Sequence, residues 1–148
     1  MDIMKHISDE MQLMSNADIL VIGSGLSGLA AVYQILKSTT KDCDPPLRVA
    51  MLEKAPTLGG SSTAMAPLTV IRKPATKLLN EMGLNGLYTD YGQYVMCENS
   101  TLKSAMISKI THVASNHKGI VLKFFPSMEV EDVLLKKSNE YSAVSGVA

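Results

Sequence analysis

The sequence predicts an α/β fold with a central parallel sheet, on three adjacent observations. A continuous apolar run, Ile19-Leu20-Val21-Ile22, has the composition of a strand covered on both faces. Gly23, Gly25 and Gly28 follow it directly. Leu29 to Leu36 are then small and apolar enough to form a helix lying against a sheet. Strand, glycine turn and helix in that order open a Rossmann-like FAD/NAD(P)-binding fold.

Ahead of that unit, Ile3, Met4, Ile7, Met11 and Met14 recur at roughly helical spacing. Residues 1–16 therefore read as a lead-in segment, either a short amphipathic helix or a loosely ordered tail, and residues 17–148 as one partial dinucleotide-binding domain. Ser38 to Pro46 is polar and carries two prolines, which makes it an exposed connection. Leu47 to Leu52 supplies the second strand and ends at Glu53. Ala55 to Pro67 is a loop whose Gly59 and Gly60 suit close approach to a ligand.

Leu68 to Ile71 reads as a further strand, and Pro74 as the start of a helix through Met82 that Gly83 can stop. Tyr94 to Cys97 is strand-like. Ser100 can cap a helix from Thr101 to about Asn116, where Leu102, Met106, Ile107 and Ile110 repeat at helical spacing. Val121 to Phe125 is apolar and β-prone. Val130 to Leu135 and Tyr141 to Val147 flank a polar stretch and predict a terminal β-hairpin.

Composition narrows the function. With 148 residues, 46% of them hydrophobic, one domain is the natural division. The 14 basic and 14 acidic side chains cancel, so the overall charge draws the chain to neither nucleic acid nor an anionic membrane. Cys43 and Cys97 form no metal-knuckle spacing and no disulfide framework, as in a reducing compartment. Charged residues interrupt the N-terminal stretch, and no apolar run approaches the ~20 residues of a membrane span, so the expectation is a cytoplasmic protein.

Each glycine of Gly23-x-Gly25-x-x-Gly28 has its own task. The first allows the tight turn, the second lets a pyrophosphate approach the backbone, and the third lets helix and strand pack closely. The helix beginning near Ser27 would aim its N–H groups and positive dipole end at the phosphates. Glu53, 25 residues beyond Gly28, places a carboxylate where ribose hydroxyls donate, and its charge would repel a 2′-phosphate. Glu53 followed by Gly59-Gly60 is typical of flavoproteins, so on these residues alone FAD leads.

The later residues redirect that reading. Val70-Ile71-Arg72-Lys73-Pro74-Ala75, Leu78 to Gly83, Tyr94-Val95-Met96, Ser104 to Ile110, Val130 to Leu134 and Val144 to Val147 stand in the order found in one family. The chain resembles the N-terminal half of eukaryotic-type thiamine thiazole synthase. The resemblance implies that NAD is a substrate, cleaved to release nicotinamide. The ADP-ribose then joins glycine, and sulfur enters to give an ADP-thiazole. In the single-turnover members the sulfur comes from the enzyme's own cysteine, and iron assists. It also implies a ring-like homo-oligomer. The family's nucleotide contacts fall here on Ser27, Glu53, Lys54, Gly60 and Val130, beside the motif's own Gly23, Gly25 and Gly28.

Departures from the family pattern are equally informative. The loop Leu58-Gly59-Gly60-Ser61-Ser62-Thr63-Ala64-Met65 is short, and no tryptophan occurs. A Lys-His pair of the family is replaced around Cys97, Glu98 and Asn99. The sequence ends at Ala148, ahead of the family's sulfur-donating cysteine, so the expectation is a chain that binds the nucleotide but lacks the catalytic half. Two other readings stay open: a nucleotide-binding or interaction partner of a complete paralogue, and an FAD- or NAD-dependent oxidoreductase fragment. Cys97 reads as a small buried hydrophobe and Cys43 as incidental. His112 and His117 suit the exposed C-terminal end of the long helix. Arg72 and Lys73 are either phosphate-neutralising or simply solvated, and no metal ligand set is assigned.

Overall fold

A computed structural model describes residues 16–59, 67–138 and 141–147. The lead-in segment ahead of Asn16 and the predicted contact Gly60 lie outside the described residues.

The chain opens with strand β1 (Ile19–Ile22), helix α1 (Leu26–Ser38) and strand β2 (Leu47–Leu52). A later strand, β6 (Ile120–Phe125), completes a parallel sheet in the order β1-β2-β6. The parallel registers pair Ile19 with Val49 and Leu47 with Ile120. The strand covered on both faces is therefore β2, whose Val49, Ala50, Met51 and Leu52 are all buried. The sequence assigned that environment to Ile19–Ile22. β1 instead has β2 on one side only among the described strands, and Ile22 is 53% exposed. A central position in the sheet, not the apolar run, decides which strand is enclosed.

Between β2 and β6 the chain builds a second, antiparallel sheet. Strand β3 (Leu68–Arg72), strand β4 (Tyr88–Asp90) and strand β5 (Tyr94–Glu98) associate in the order β3-β5-β4. β4 was not expected, since three residues containing Thr89 and Asp90 give no alternating signal. Pro74 lies in a 3-10 turn, Lys73–Ala75, and the α-helix proper is α2 (Thr76–Glu81). Gly83, at φ +75°, stops it as expected, with its N–H donating to the Asn80 carbonyl at 3.0 Å.

Helix α3 (Asn99–Ser115) starts two residues earlier than expected, with Glu98 at its N-cap. Ser100 lies in the first turn, and its hydroxyl and that of Thr101 each donate to Glu98 Oε1 at 3.0 Å. Strands β7 (Val133–Ser138) and β8 (Tyr141–Val147) form the terminal hairpin, with Val133 opposite Val147. Val130 was expected in its first arm but precedes β7, in half-buried coil.

α1 and α3 pack together. Leu29, Val32 and Leu36 of α1 meet Leu102, Met106 and Ile110 of α3 and Val49 and Met51 of β2 in one core. Burying each such side chain contributes roughly 1.5–3 kcal/mol. Among the described residues no helix is long and apolar enough to cross a membrane.

His117 departs from its expected exposure. It follows α3 and is buried. Its Nδ1 accepts the Gly119 N–H at 3.0 Å, which leaves Nε2 to donate to the Thr39 carbonyl at 2.9 Å. The ring thereby ties the end of α1 to the connection entering β6. His117→Ala is expected to lower unfolding free energy by about 1–3 kcal/mol, because the buried Gly119 N–H loses its acceptor. The exposed His112→Ala should stay within about 0.5 kcal/mol of wild type, both measured by chemical denaturation.

Candidate nucleotide-binding site

The glycine turn joins β1 to α1 and is held from both sides. Gly23 adopts φ +94°, a left-handed conformation open to glycine, and its N–H donates to the Leu52 carbonyl at 2.8 Å. A Cβ at Gly28 would stand 2.0 Å from the Gly23 carbonyl oxygen, so the helix approaches the turn as closely as backbone allows. Gly25 differs from both. It caps α1 with φ −70°, which any residue adopts, and a Cβ there meets nothing within 4 Å.

No side chain caps α1, and its first turn contains no acidic residue. Its leading N–H groups therefore face a cleft of about 430 Å³. Gly23, Gly25, Ser27 and Gly28 line that cleft together with Thr69 of β3 and Asn99 and Lys103 of α3. Ser27, an expected nucleotide contact, is exposed and lines the cleft.

Beside the turn runs a chain of buried polar contacts. Glu53, only 6% exposed, accepts the Ser24 N–H at 3.0 Å and the Ser24 hydroxyl at 2.5 Å on Oε1. Its Oε2 accepts the Ala55 N–H at 2.7 Å. The Gly59 N–H donates to Ser24 Oγ at 2.8 Å, and the Gly59 carbonyl accepts from Lys103 Nζ at 2.6 Å. Burial pushes the Glu53 carboxyl up, but donation from Ser24, Ala55 and the Lys54 backbone outweighs it and holds the pKa below the usual glutamate range.

The turn after β6 completes this region. Met128 N–H donates to the Glu53 carbonyl at 2.7 Å and Ser127 N–H to that of Ala55 at 2.9 Å. Lys54 pairs with Glu129 at 3.8 Å, which places Val130 one residue beyond that contact. Lys54 is otherwise exposed. Arg72 and Lys73 are not among the residues lining the cleft; Lys73 pairs with Asp90. Cys97 is buried, its thiol pKa raised by burial, as suits a small core residue. Among the described residues no three His, Cys, Asp or Glu side chains gather in a group that could hold a metal ion such as iron.

The family model for the Thi4 family matches residues 1–148. The chain belongs to the Thi4 family. It is 33% identical over 137 residues to the thiamine thiazole synthase of Fusarium vanettenii, covering 90% of this chain and 38% of that protein. With the thiamine thiazole synthase of Schizosaccharomyces pombe it shares 30% identity over 139 residues, covering 92% of this chain and again 38% of the relative. The chain thus spans well under half the length of these curated relatives. The crystal structure of Thermovibrio ammonificans THI4 shares its fold, with a TM-score of 0.70 at 24% identity over 98% of this chain and 52% of that one. The FAD complex of CtdE is similar in fold alone, at TM-score 0.52 and 12% identity, covering 85% of this chain and 33% of that one.

Sequence reasoning found the turn and Glu53 but missed Ser24, Asn99 and Lys103. Ser24 is a variable position of the motif, and Lys103 adjoins the apolar stripe of α3, where a lysine reads as surface. Because the Glu53 pKa is lowered on folding, its stabilisation of this Thi4-family chain is full above the unfolded value and lost as pH falls through the folded one. Urea unfolding of wild type and Glu53→Gln should therefore differ most at neutral pH. The two curves should converge as pH drops below about 4.3.

Proposed function

We propose that the chain is the nucleotide-binding part of a cytoplasmic thiamine thiazole synthase, holding NAD as substrate or the ADP-thiazole product at the Gly23–Gly28 turn. Gly25 is the observation that carries this reading. Gly23 is required by its backbone angle and Gly28 by the approach of α1, but among the described residues nothing in the fold demands glycine at position 25. Space kept open at the N-terminus of a helix whose first turn has no acidic residue suits a pyrophosphate.

Glu53 supports the ribose-side assignment by position, at the end of β2 beside the turn. Oε1 already takes two donors from Ser24, so ribose hydroxyls would bind at Oε2 or exchange with the Ser24 hydroxyl. Lys54, next to Glu53, pairs with Glu129, the residue before Val130 in the chain. Glycine as co-substrate, and iron where the family uses it, would be met by residues beyond those described. The described residues supply nucleotide binding, orientation and a carboxylate.

Leu68 and Val70, 57% and 59% exposed on one face of the antiparallel sheet, support association with a second copy or with a complete paralogue. Sedimentation velocity of the purified chain should show a species larger than the 15.9 kDa monomer, and Leu68→Lys with Val70→Lys should return it to monomer.

Ligand-dependent stability tests the nucleotide reading. ADP or NAD at 100 times its dissociation constant should stabilise the protein by about 2.7 kcal/mol. Gly25→Val should lose that response while costing only about 1 kcal/mol of unliganded stability, the usual cost of a poor N-cap residue. An intact response in the valine variant would overturn the assignment. Tight FAD binding with a flavin spectrum would replace the thiazole reading with the oxidoreductase one.

A further inference from the structure

Lys103 is 4% exposed, on the first turns of α3, and it lines the cleft that Gly23, Gly25, Ser27 and Gly28 also line. Burying an ammonium is costly in free energy, so a lysine in this position calls for a physical reason. One is visible. Lys103 Nζ donates to the Gly59 carbonyl at 2.6 Å, and Gly59 in turn donates to Ser24 Oγ, whose hydroxyl donates to Glu53. Gly59 sits at φ +101° with its hypothetical Cβ 3.4 Å from the Lys103 side chain, so loop and lysine are fitted to each other.

A hydrogen bond to a carbonyl does not by itself require a charge, and a neutral donor would serve as well. The cleft supplies the second reason. Among the described residues that line it, Lys103 is the one charged side chain, and no carboxylate is present. The first turns of both helices that border the cleft also contain no acidic residue. Two groups offer positive charge to an anion in the cleft, the α1 N-terminus and the Lys103 ammonium, while the nearby carboxylates of Glu53 and Glu98 lie outside the lining and accept hydrogen bonds from Ser24, Ala55, Ser100 and Thr101.

We propose that Lys103 is a pyrophosphate-binding residue, reaching the ligand's phosphate oxygens across the cleft while the α1 N–H groups bind them at the glycine turn. This rests on the dinucleotide reading above and adds a second, charged side to it. The lysine couples the anion to the loop that follows Glu53: the same ammonium that meets the phosphates steadies Gly59, and through Ser24 the ribose-side carboxylate. Ligands with a diphosphate are favoured over a bare nucleoside.

The test is calorimetric titration of the full chain with ADP and with adenosine at several salt concentrations. Lys103→Gln keeps a donor for the Gly59 carbonyl and removes the charge. It is expected to weaken ADP by about tenfold or more, the loss typical of a charge-assisted contact, and to leave adenosine within about twofold. The salt dependence of ADP affinity should become shallower. Lys103→Arg, which keeps the charge, should bind ADP within about threefold of wild type, and it carries the test should the glutamine variant fail to fold.

Wild-type affinity for ADP with the same affinity in Lys103→Gln would overturn the role of Lys103 while leaving the dinucleotide reading intact. Equal losses for ADP and adenosine, with unchanged salt dependence, would reduce Lys103 to a structural tie and overturn it too. A folded arginine variant that loses ADP as the glutamine variant does would also count against it. Wild type that binds neither ligand would overturn the dinucleotide reading itself, and this inference with it.

Discussion

The approach of Gly28 to the Gly23 carbonyl is the contact on which the rest of this structure depends. With a hypothetical Cβ only 2.0 Å from that oxygen, α1 can lie this close to the end of β1 only because position 28 has no side chain. The close approach seats Leu29, Val32 and Leu36 in the core and directs the uncapped start of α1 at the cleft. A helix one side chain further out would weaken both consequences together, since packing density and the position of the N–H groups are set by the same distance.

The second organising feature is polar. Glu53, Ser24, Gly59 and Lys103 link β2, the turn, the following loop and α3 through buried hydrogen bonds in series. In a low-dielectric setting such a series is stable only when each member is satisfied, and a carboxylate and an ammonium at its two ends allow that. The candidate site is therefore held in place by the same groups that the proposed nucleotide binding would use. Glu53 exemplifies this: the carboxylate a ribose would meet is also the acceptor that fixes the Ser24 turn.

The fold places these parts by ordinary means. β2 is enclosed because it lies between β1 and β6, and the loops at its ends are gathered by neighbouring backbone: Gly23 on Leu52, Glu53 on Phe125, Met128 on Glu53. At the other end of α1, His117 joins Thr39 to Gly119 and holds the opposite side of the same layer. Together they fix the register in which α1 and α3 face each other across the cleft.

The sequence by itself determined the strand–turn–helix unit, the second strand ending at Glu53, the long helix, the terminal hairpin and the resemblance to the thiazole synthase family, because those signals are local. A glycine's conformational freedom, an apolar period and a motif's order survive in one dimension. Tertiary structure alone decided that β2 and not β1 is the enclosed strand, that Tyr88–Asp90 pairs with β5, that Val130 precedes the hairpin and that His117 is a buried tie. It alone separated Gly25, which the described fold leaves free, from Gly23 and Gly28, which it requires. It also brought Lys103 to the glycine turn, 75 positions after Gly28 in the chain. Burial, pairing and the convergence of distant side chains depend on where neighbouring elements lie, and no local pattern encodes that.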